Sequence, residues 1–205
     1  MVSPTLEREG ALWAEGYRVV AGVDEVGREP LAGPVVVAAV AFRPGQPLIE
    51  GLRDSKLMTA AGRERVAGAI RDQALAWSLS ASSTRTIDRV NIRMATILAM
   101  RRALTRLRTT PDYVLIDGNP IPELQRPHEA IVAGDKHCQT IAAAAVLAKC
   151  ARDRLMSLLA RRYPEFGWDE NKGYATKAHL DALDRDGPTP HHRASFTPVV
   201  QLKLF

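Results

Sequence analysis

Cysteine is scarce in this sequence, and its two examples form no recognisable metal-binding pattern. Cys138 and Cys150 are the only cysteines among the 205 residues, and their spacing matches no zinc motif. Two thiols in an intracellular chain are most often reduced and partly buried, where they act as small hydrophobic side chains. We therefore expect neither a disulfide framework nor a zinc site.

Long apolar runs are also missing. No segment approaches the roughly 20 apolar residues that a membrane-spanning helix needs. The opening stretch, MVSPTLEREGALWAEGYR, lacks the apolar core that follows a basic start in a signal peptide. We expect a soluble cytoplasmic protein with no membrane partner.

The composition suits one globular domain with an appendage and a modest excess of basic charge. The chain is 46% hydrophobic and 25% charged, which allows a substantial core. Its 28 Lys and Arg against 23 Asp and Glu give a net charge of +5. That balance suits a polyanionic partner but also many ordinary proteins. Several acids lie among Arg and Lys clusters, as expected where a metal pocket sits inside a phosphate-binding surface.

Hydrophobic periodicity and turn residues predict strands that alternate with helices. The predicted strands are 18–26, 33–42, 74–82, 112–117 and 129–134, and the predicted helices are 3–17, 59–73, 90–107, 140–163 and 176–185. The first two strands are expected to pair antiparallel. The Ala-rich start of helix 140–163 should pack closely on the sheet, and the tail SFTPVVQLKLF should fold back onto the body.

Acidic residues stand at the ends of three predicted strands. They are Asp24, Glu25, Asp117 and Asp135. A site that cleaves phosphodiesters needs several carboxylates, because they hold two divalent ions ~4 Å apart. Hard oxygen ligands favour Mg²⁺ or Mn²⁺ over zinc. Each acid alone would more often be a turn or capping residue, so the prediction of a two-metal site rests on their combination.

Two of these acids are adjacent, which raises a geometric question. Neighbouring side chains on a regular strand point to opposite faces, so Asp24 and Glu25 cannot both face inward there. We expect the Asp24 side chain to bridge the metals. Glu25 is expected to act where the strand bends, through its side chain, a coordinated water or its backbone carbonyl.

Six blocks of sequence keep a fixed order along nearly the whole chain. They are GVDEVGREPLAGPVVVAAV, DSKLM, LIDGN, AGDKHCQTIAAAAVLAKCARDRLM, NKGYATKAHLDAL and GPTPHHRASF. From about Leu6 to Phe196 the chain thereby resembles the ribonuclease HII family in its bacterial branch. The resemblance implies an α/β RNase H-like fold, with a mixed five-stranded sheet flanked by helices. It also implies a catalytic core at 1–162 and a C-terminal helical appendage at 163–205 that completes the substrate site.

The resemblance also implies an activity. The four family carboxylates fall on Asp24, Glu25, Asp117 and Asp135. A protein of this kind would cleave the RNA strand of RNA/DNA hybrids with two Mn²⁺ or Mg²⁺ ions. It would also nick duplex DNA on the 5′ side of a single embedded ribonucleotide, leaving 3′-hydroxyl and 5′-phosphate ends. We expect it to be a monomer.

Distinguishing RNA from DNA requires hydrogen-bonding groups at the 2′-hydroxyl, and the backbone of a Gly-rich turn can approach closely enough to supply them. Gly27 and Arg28 fit that role. Tyr174 matches the family tyrosine that packs on the sugar at the junction of RNA and DNA. Without the resemblance, Tyr174 would be read as a half-buried packing aromatic.

Further basic residues are candidate phosphate contacts. Lys56 in DSK and Lys149 in LAK resemble phosphate-facing or active-site positions, and Lys177 and Arg193 are additional candidates. The alternative for such lysines is a solvated surface position. His191 and His192 look like a metal-binding pair, but adjacent histidines more often belong to a polar loop.

One residue departs from the family pattern. Glu29 stands where the family has a second glycine, directly before Pro30. Glutamate does not easily adopt a positive φ, and a residue before proline favours extended conformations. A carboxylate ~4 Å from a phosphate costs roughly 1 to 4 kcal/mol, depending on screening. We expect weaker substrate binding, unless the Glu29 side chain points to solvent or pairs with a nearby arginine.

Two other functions remain open. An RNase H-like DNA nuclease or transposase-like strand transferase would use the same carboxylates, and Glu29 leaves room for a catalytically silent hybrid-binding protein. A sliding clamp is a candidate partner through the tail QLKLF, where Gln201, Leu204 and Phe205 resemble a clamp-binding peptide. A packed C-terminus is the alternative.

Overall fold

A mixed β-sheet forms the centre of the structure, a computed structural model that describes residues 3–201. Within these residues the strands are β1 (Val20–Val26), β2 (Val35–Ala41), β3 (Ala76–Ser82), β4 (Tyr113–Asp117) and β5 (His128–Ile131). Their order across the five-stranded sheet is β3-β2-β1-β4-β5. β2 pairs antiparallel with both β1 and β3, whereas β4 runs parallel to both β1 and β5. The predicted mixed sheet and its antiparallel first pair are confirmed.

Helices cover both faces of this sheet. In residues 3–201 they are α1 (Glu7–Ala14), α2 (Ala60–Gln73), α3 (Thr84–Arg106), α4 (Gln139–Ala160), α5 (Trp168–Asn171) and α6 (Lys177–Asp186). Alternate residues of β2 face opposite sides. Val36 and Val40 belong to a cluster with α2 and α4, while Val37 and Ala39 pack against α3. Every residue of β2 is buried, as expected for an apolar strand that is covered on both faces.

The central helix α4 lies very close to β1. A Cβ atom placed on Gly22 would be 2.3 Å from the backbone carbon of Thr140 and 2.4 Å from the nitrogen of Ile141. The Ala-rich run 142–145 is fully buried against the sheet, which confirms the predicted close packing. Glu9 from α1 caps the start of α4, because its carboxylate accepts hydrogen bonds from the Thr140 N–H at 2.9 Å and hydroxyl at 2.7 Å.

Two helix boundaries differ from the sequence prediction. The predicted start of the first helix at Ser3 is wrong, because Thr5 pairs with Cys138 in an isolated β-bridge before α1 begins at Glu7. Helix α3 begins at Thr84, earlier than predicted, and it is interrupted at Asn91, where φ is 67°. The Asn91 side chain accepts a hydrogen bond from the Met94 N–H at 3.0 Å and so caps the second part of the helix.

The segment after Pro164 packs against the loop between β1 and β2. Phe166, Trp168 and Leu183 share a buried cluster with Leu31 from the loop before β2. Val199 is fully buried in the same cluster, which accords with a tail that folds back. A boundary between 162 and 163 stays a prediction, although described residues on both sides of it share this core. None of the helices within residues 3–201 has the length and apolar composition needed to cross a membrane.

Candidate active site

The four acids predicted from the sequence line one cavity at an edge of the sheet. Asp24 and Glu25 lie near the carboxyl end of β1, and Asp117 is the last residue of the parallel neighbour β4. Asp135 lies in a short 3-10 helix that follows β5, the next parallel strand. Because parallel strands end at the same edge, side chains from three elements converge there. The cavity has a volume of about 560 Å³.

Local donors hold three of these carboxylates. Asp24 accepts a hydrogen bond from the Glu25 N–H at 2.7 Å, and Asp117 accepts one from the Gly134 N–H at 2.7 Å. Glu25 forms an ion pair with Arg28 at 3.2 Å. Glu25 also lines a second cavity of about 260 Å³ on the α3 side of the sheet. The role of Glu25 as a side-chain or backbone ligand stays open.

Burial and mutual repulsion make this cluster electrostatically costly. Burial raises the pKa of Asp24 well above its usual range, and the neighbouring charges of Glu25 and Asp117 raise it further. The pKa of Asp135 is raised mainly by burial and then by Asp117. Burial also raises the pKa of Glu25, although Arg28 opposes that shift. A bound cation would relieve this repulsion.

The donor set fits a hard divalent cation. It consists of carboxylate oxygens, which Mg²⁺ and Mn²⁺ prefer. Within residues 3–201, however, no three acidic, histidine or cysteine side chains converge closely enough to enclose an ion in their present positions. A full ligand set therefore requires the side chains to turn toward a common centre.

The turn at Gly27 borders the same cavity. Gly27 is buried with φ of +94°, and a Cβ atom there would lie 2.0 Å from the Arg152 Nε atom. Arg28 and Glu29 are exposed at the cavity rim. Glu29 is not among the described non-glycine residues with positive φ, so its backbone is unstrained. Glu29 is exposed and lines the cavity, so its carboxylate can approach a bound phosphate, and nearby Arg28 pairs with Glu25.

Tyr174 and Lys56 complete the predicted lining of the cavity. The Tyr174 side chain is 40% exposed, so its ring is available to a ligand. Its backbone is fixed, since its N–H donates to the Asn171 carbonyl at 2.9 Å and its carbonyl lies 2.8 Å from the His179 Nδ1 atom. The Lys56 N–H is held by the Asp54 side chain at 2.9 Å.

Three other predicted contacts do not line this cavity. Lys149 donates to Asp153 at 2.7 Å, and the exposed Lys177 pairs with Asp181 at 2.6 Å. Arg193 has no exposed surface, and its guanidinium donates to backbone carbonyls. The prediction that Arg193 contacts a phosphate directly is therefore wrong, because a fully buried group cannot reach a ligand in the cavity.

The histidine pair is not a metal site. His192 is buried, and both ring nitrogens are used: Nδ1 accepts from the Thr189 N–H at 3.0 Å, and Nε2 lies 3.0 Å from the His179 Nε2 atom. Burial lowers the pKa of His192 to about 4, so the ring is neutral at physiological pH. His191 packs edge-on against Tyr163.

The sequence analysis did not identify Arg152, and it did not predict that the Arg193 side chain is buried and bound to backbone carbonyls. Arg152 occupies an otherwise apolar stripe of α4, where residues 148, 152, 156 and 160 recur at intervals of four and are all buried. A lone arginine in such a stripe is the signal that could have revealed it. Arg193 offered no such signal, because it lies in a loop and is buried by distant parts of the chain.

The β3-β2-β1-β4-β5 sheet gives the molecule an RNase H-like fold, with carboxylates at the ends of its parallel strands. A family model described as Ribonuclease HII matches residues 21–199. A curated relative from Aliivibrio fischeri (strain MJ11), named Ribonuclease HII, is 50% identical over 187 residues, covering 91% of this chain and 90% of the relative. Another of that name, from Cereibacter sphaeroides (strain ATCC 17029 / ATH 2.4.9), is 52% identical over 197 residues, covering 96% and 92%. The chain belongs to the ribonuclease HII family and is thus a type II ribonuclease H endonuclease.

Solved structures confirm the fold. The ribonuclease H2 of Pyrococcus horikoshii OT3 has a TM-score of 0.78 at 24% identity, covering 91% of this chain and 97% of that one. The RNase HII of Archaeoglobus fulgidus, solved in a complex with PCNA, has a TM-score of 0.75 at 25% identity and covers 87% and 95%. A Bst-RNase HIII in complex with Mn²⁺ has a TM-score of 0.71 at 19% identity, covering 95% and 73%.

Proposed function

We propose that this enzyme hydrolyses the RNA strand of RNA/DNA hybrids and nicks duplex DNA on the 5′ side of a single ribonucleotide. Two Mg²⁺ or Mn²⁺ ions would assist, and the products would carry 3′-hydroxyl and 5′-phosphate ends. One observation carries the proposal: the four carboxylates share a cavity with the Gly27–Arg28 turn and Tyr174. Groups suited to cleavage and groups suited to reading a sugar thus line the same space.

The carboxylates would hold the ions by turning from their present backbone partners. Bound there, two divalent ions supply an activated water and stabilise the leaving oxygen. Before the ions bind, the Gly134 N–H holds Asp117 and the Glu25 N–H holds Asp24 at the cavity. Lys56 at the rim provides positive charge for the phosphate backbone.

We assign sugar selection to the Gly27 turn and Tyr174. A ribonucleotide differs from a deoxyribonucleotide by its 2′-hydroxyl, which both donates and accepts hydrogen bonds. The turn at Gly27 brings backbone groups to the cavity, and the exposed Tyr174 ring offers a surface for a sugar. A DNA nuclease of the same fold would not need groups that recognise a 2′-hydroxyl.

A matched pair of substrates tests the proposal. The purified protein is incubated with Mg²⁺ or Mn²⁺ and a labelled duplex that holds one ribonucleotide, beside an all-DNA duplex of the same sequence and an RNA/DNA hybrid. We expect cutting of the hybrid and of the first duplex, at the 5′ side of the ribonucleotide. Cutting of the all-DNA duplex would show a DNA nuclease. Binding of the hybrid without any cutting would show a silent binding protein, and cutting of the hybrid alone would disprove the nicking activity.

Replacing Glu29 with glycine is expected to tighten binding to the ribonucleotide-containing duplex. The exposed carboxylate at the cavity rim repels phosphate, at a cost of about 1 kcal/mol when solvent screens it, which corresponds to about fivefold in Kd. Glu29→Gln removes the charge alone, so an equal effect of both variants identifies electrostatics as the cause. The gain should shrink as salt is raised. An unchanged Kd at fixed low salt would contradict the repulsion.

A sliding clamp remains a proposed partner. The archaeal relative solved with PCNA supports it. Gln201 is exposed, but Leu204 and Phe205 lie outside the described residues. Deletion of residues 201–205 should abolish clamp binding and leave nicking of a free duplex unchanged, and clamp binding that survives the deletion would rule out the tail. The monomeric state also stays a prediction.

A further inference from the structure

Two arginine side chains are completely buried behind the turn that borders the active-site cavity. Arg152 and Arg193 each have 0% exposed surface. Arg193 donates to the carbonyls of Gly27, Arg28 and Gly33. Neither arginine belongs to any of the ion pairs found within residues 3–201. A buried guanidinium without a carboxylate partner is costly, so its hydrogen bonds to the backbone have to compensate.

The direction of these hydrogen bonds fixes the peptide groups of the turn. In a trans peptide the C=O and N–H groups point in opposite directions. Because the carbonyls of Gly27 and Arg28 point inward to Arg193, the N–H groups of Arg28 and Glu29 point away from it. Within residues 3–201 neither N–H donates to a protein acceptor. Arg28 and Glu29 line the cavity whereas Arg193 does not, so both donors are directed to the cavity side.

We propose that Arg193 is a positioning residue for ribonucleotide selection. By holding the Gly27 and Arg28 carbonyls inward, it keeps the N–H groups of Arg28 and Glu29 directed at the ribose 2′-oxygen. This inference rests on the proposed function, since it concerns how the cavity distinguishes a ribonucleotide. Arg193 itself touches no substrate.

A guanidinium suits this role better than other side chains. Its five N–H donors form a rigid planar fork, which allows one group to bind several carbonyls at once. Lysine has a single flexible point of attachment and cannot reproduce that geometry. The Phe196 ring lies 4.9 Å from the Arg193 Cζ atom and restrains the guanidinium plane.

The backbone that carries Arg193 is anchored on two sides of the molecule. The Arg193 N–H donates to the Leu31 carbonyl at 2.8 Å. The N–H groups of Ala194 and Ser195 donate to the Asp88 carboxylate of α3 at 3.1 and 2.9 Å. The fork is thus fixed in place relative to both the β1–β2 loop and α3, as a positioning residue requires.

Arg152 provides a matched control. It is equally buried and also donates to three carbonyls, those of Ala32, Pro34 and Lys172. None of these carbonyls belongs to the peptide groups that present the N–H donors of Arg28 and Glu29. The Arg152 side chain also packs against Gly27, but lysine retains the aliphatic stem that makes this contact. Replacement of Arg152 by lysine should therefore destabilise the fold about as much as Arg193→Lys does. It should leave the carbonyls of Gly27 and Arg28 bound to Arg193.

The experiment compares Arg193→Lys with Arg152→Lys, each in an Asp117→Asn background that suppresses cleavage. The Kd values for a duplex with one ribonucleotide and for the matching all-DNA duplex are measured at fixed salt, together with the thermal midpoint. We expect Arg193→Lys to lower the preference for the ribonucleotide at least about tenfold, and Arg152→Lys to leave it unchanged. If Arg193 had only a structural role, partial unfolding would weaken binding to both duplexes by the same factor. The ratio of the two Kd values would then stay unchanged.

Two further outcomes are distinguishable. If Arg193→Lys does not fold, Phe196→Leu keeps the arginine but removes the ring that restrains it, and the preference should fall in the same direction by a smaller factor. An unchanged preference in the folded variants, or an equal loss in the Arg152 control, would overturn the proposal. A parent protein without any preference for the ribonucleotide would instead contradict the proposed function.

Discussion

Asp117→Asn is expected to reduce the cleavage rate by a factor on the order of 10³ or more while leaving the Kd for duplex nucleic acid within about threefold. Asparagine retains the oxygen that accepts the hydrogen bond from the Gly134 N–H at 2.7 Å, so the loop between β5 and α4 should keep its position. The change removes one negative charge from the group that would hold the ions. Affinity should persist because basic contacts to phosphates supply most of it.

Asp112 is the control for this prediction, because it directly precedes β4 at the end of the strand opposite to Asp117. Asp112 is exposed and accepts hydrogen bonds from the N–H groups of Arg18 and Val19, at 2.9 and 3.0 Å. Asp112→Asn makes the same chemical change far from the cavity, and it should leave the rate unchanged. Single-turnover cleavage and fluorescence anisotropy measure the two quantities. Full activity of Asp117→Asn would remove this residue from the catalytic set.

Gly22→Ala is expected to destabilise the protein by about 3 kcal/mol or more, at the upper end of overpacking effects. The added Cβ would lie 2.3 Å from the backbone carbon of Thr140 and 2.4 Å from the nitrogen of Ile141. Backbone atoms cannot move aside as a flexible side chain does, so β1 and α4 must separate. For a chain of this size the loss corresponds to a fall of about 6–12 °C in Tm.

Gly68 provides the matched comparison. It lies within α2, and a Cβ atom there would have nothing within 4 Å. Gly68→Ala should therefore raise stability by roughly 0.5–1 kcal/mol, because alanine is the better helix former. Thermal and denaturant unfolding of both variants measure the difference. A Gly22→Ala protein that unfolds at the parent temperature would show that the close approach of α4 to β1 is not required.

The sequence predicted the parts of the site that depend on local pattern. Strands β1 and β4 have short apolar runs that end in an acid, and both runs were found from composition and turn residues alone. The meeting of Asp24 and Asp117 follows from the parallel pairing of those strands, in which Val23 lies opposite Ile116. The resemblance then supplied the turn at Gly27 and Tyr174, which line the same cavity.

Features that depend on distant parts of the chain were not predicted. Arg193 looked like a surface phosphate contact, because its neighbours in sequence are polar. Its burial results from packing against the loop around Gly33, which is 160 positions away. The late start of the first helix has the same kind of cause, since Thr5 exchanges hydrogen bonds with His137 and Gln139. Local propensity contains no information about such partners.

The hydrogen bonds from Arg193 to the Gly27 turn join residues that are 165 and 166 positions apart in the sequence. During synthesis the four carboxylates have all been made once Asp135 has been added, yet the turn beside them has no support until the segment around Arg193 follows. A nascent or C-terminally truncated chain can therefore contain all four predicted acids while the Gly27 turn, proposed to read the sugar, lacks its support from Arg193. If Arg193 positions the turn as proposed, sugar selection would be established later in synthesis than the four carboxylates.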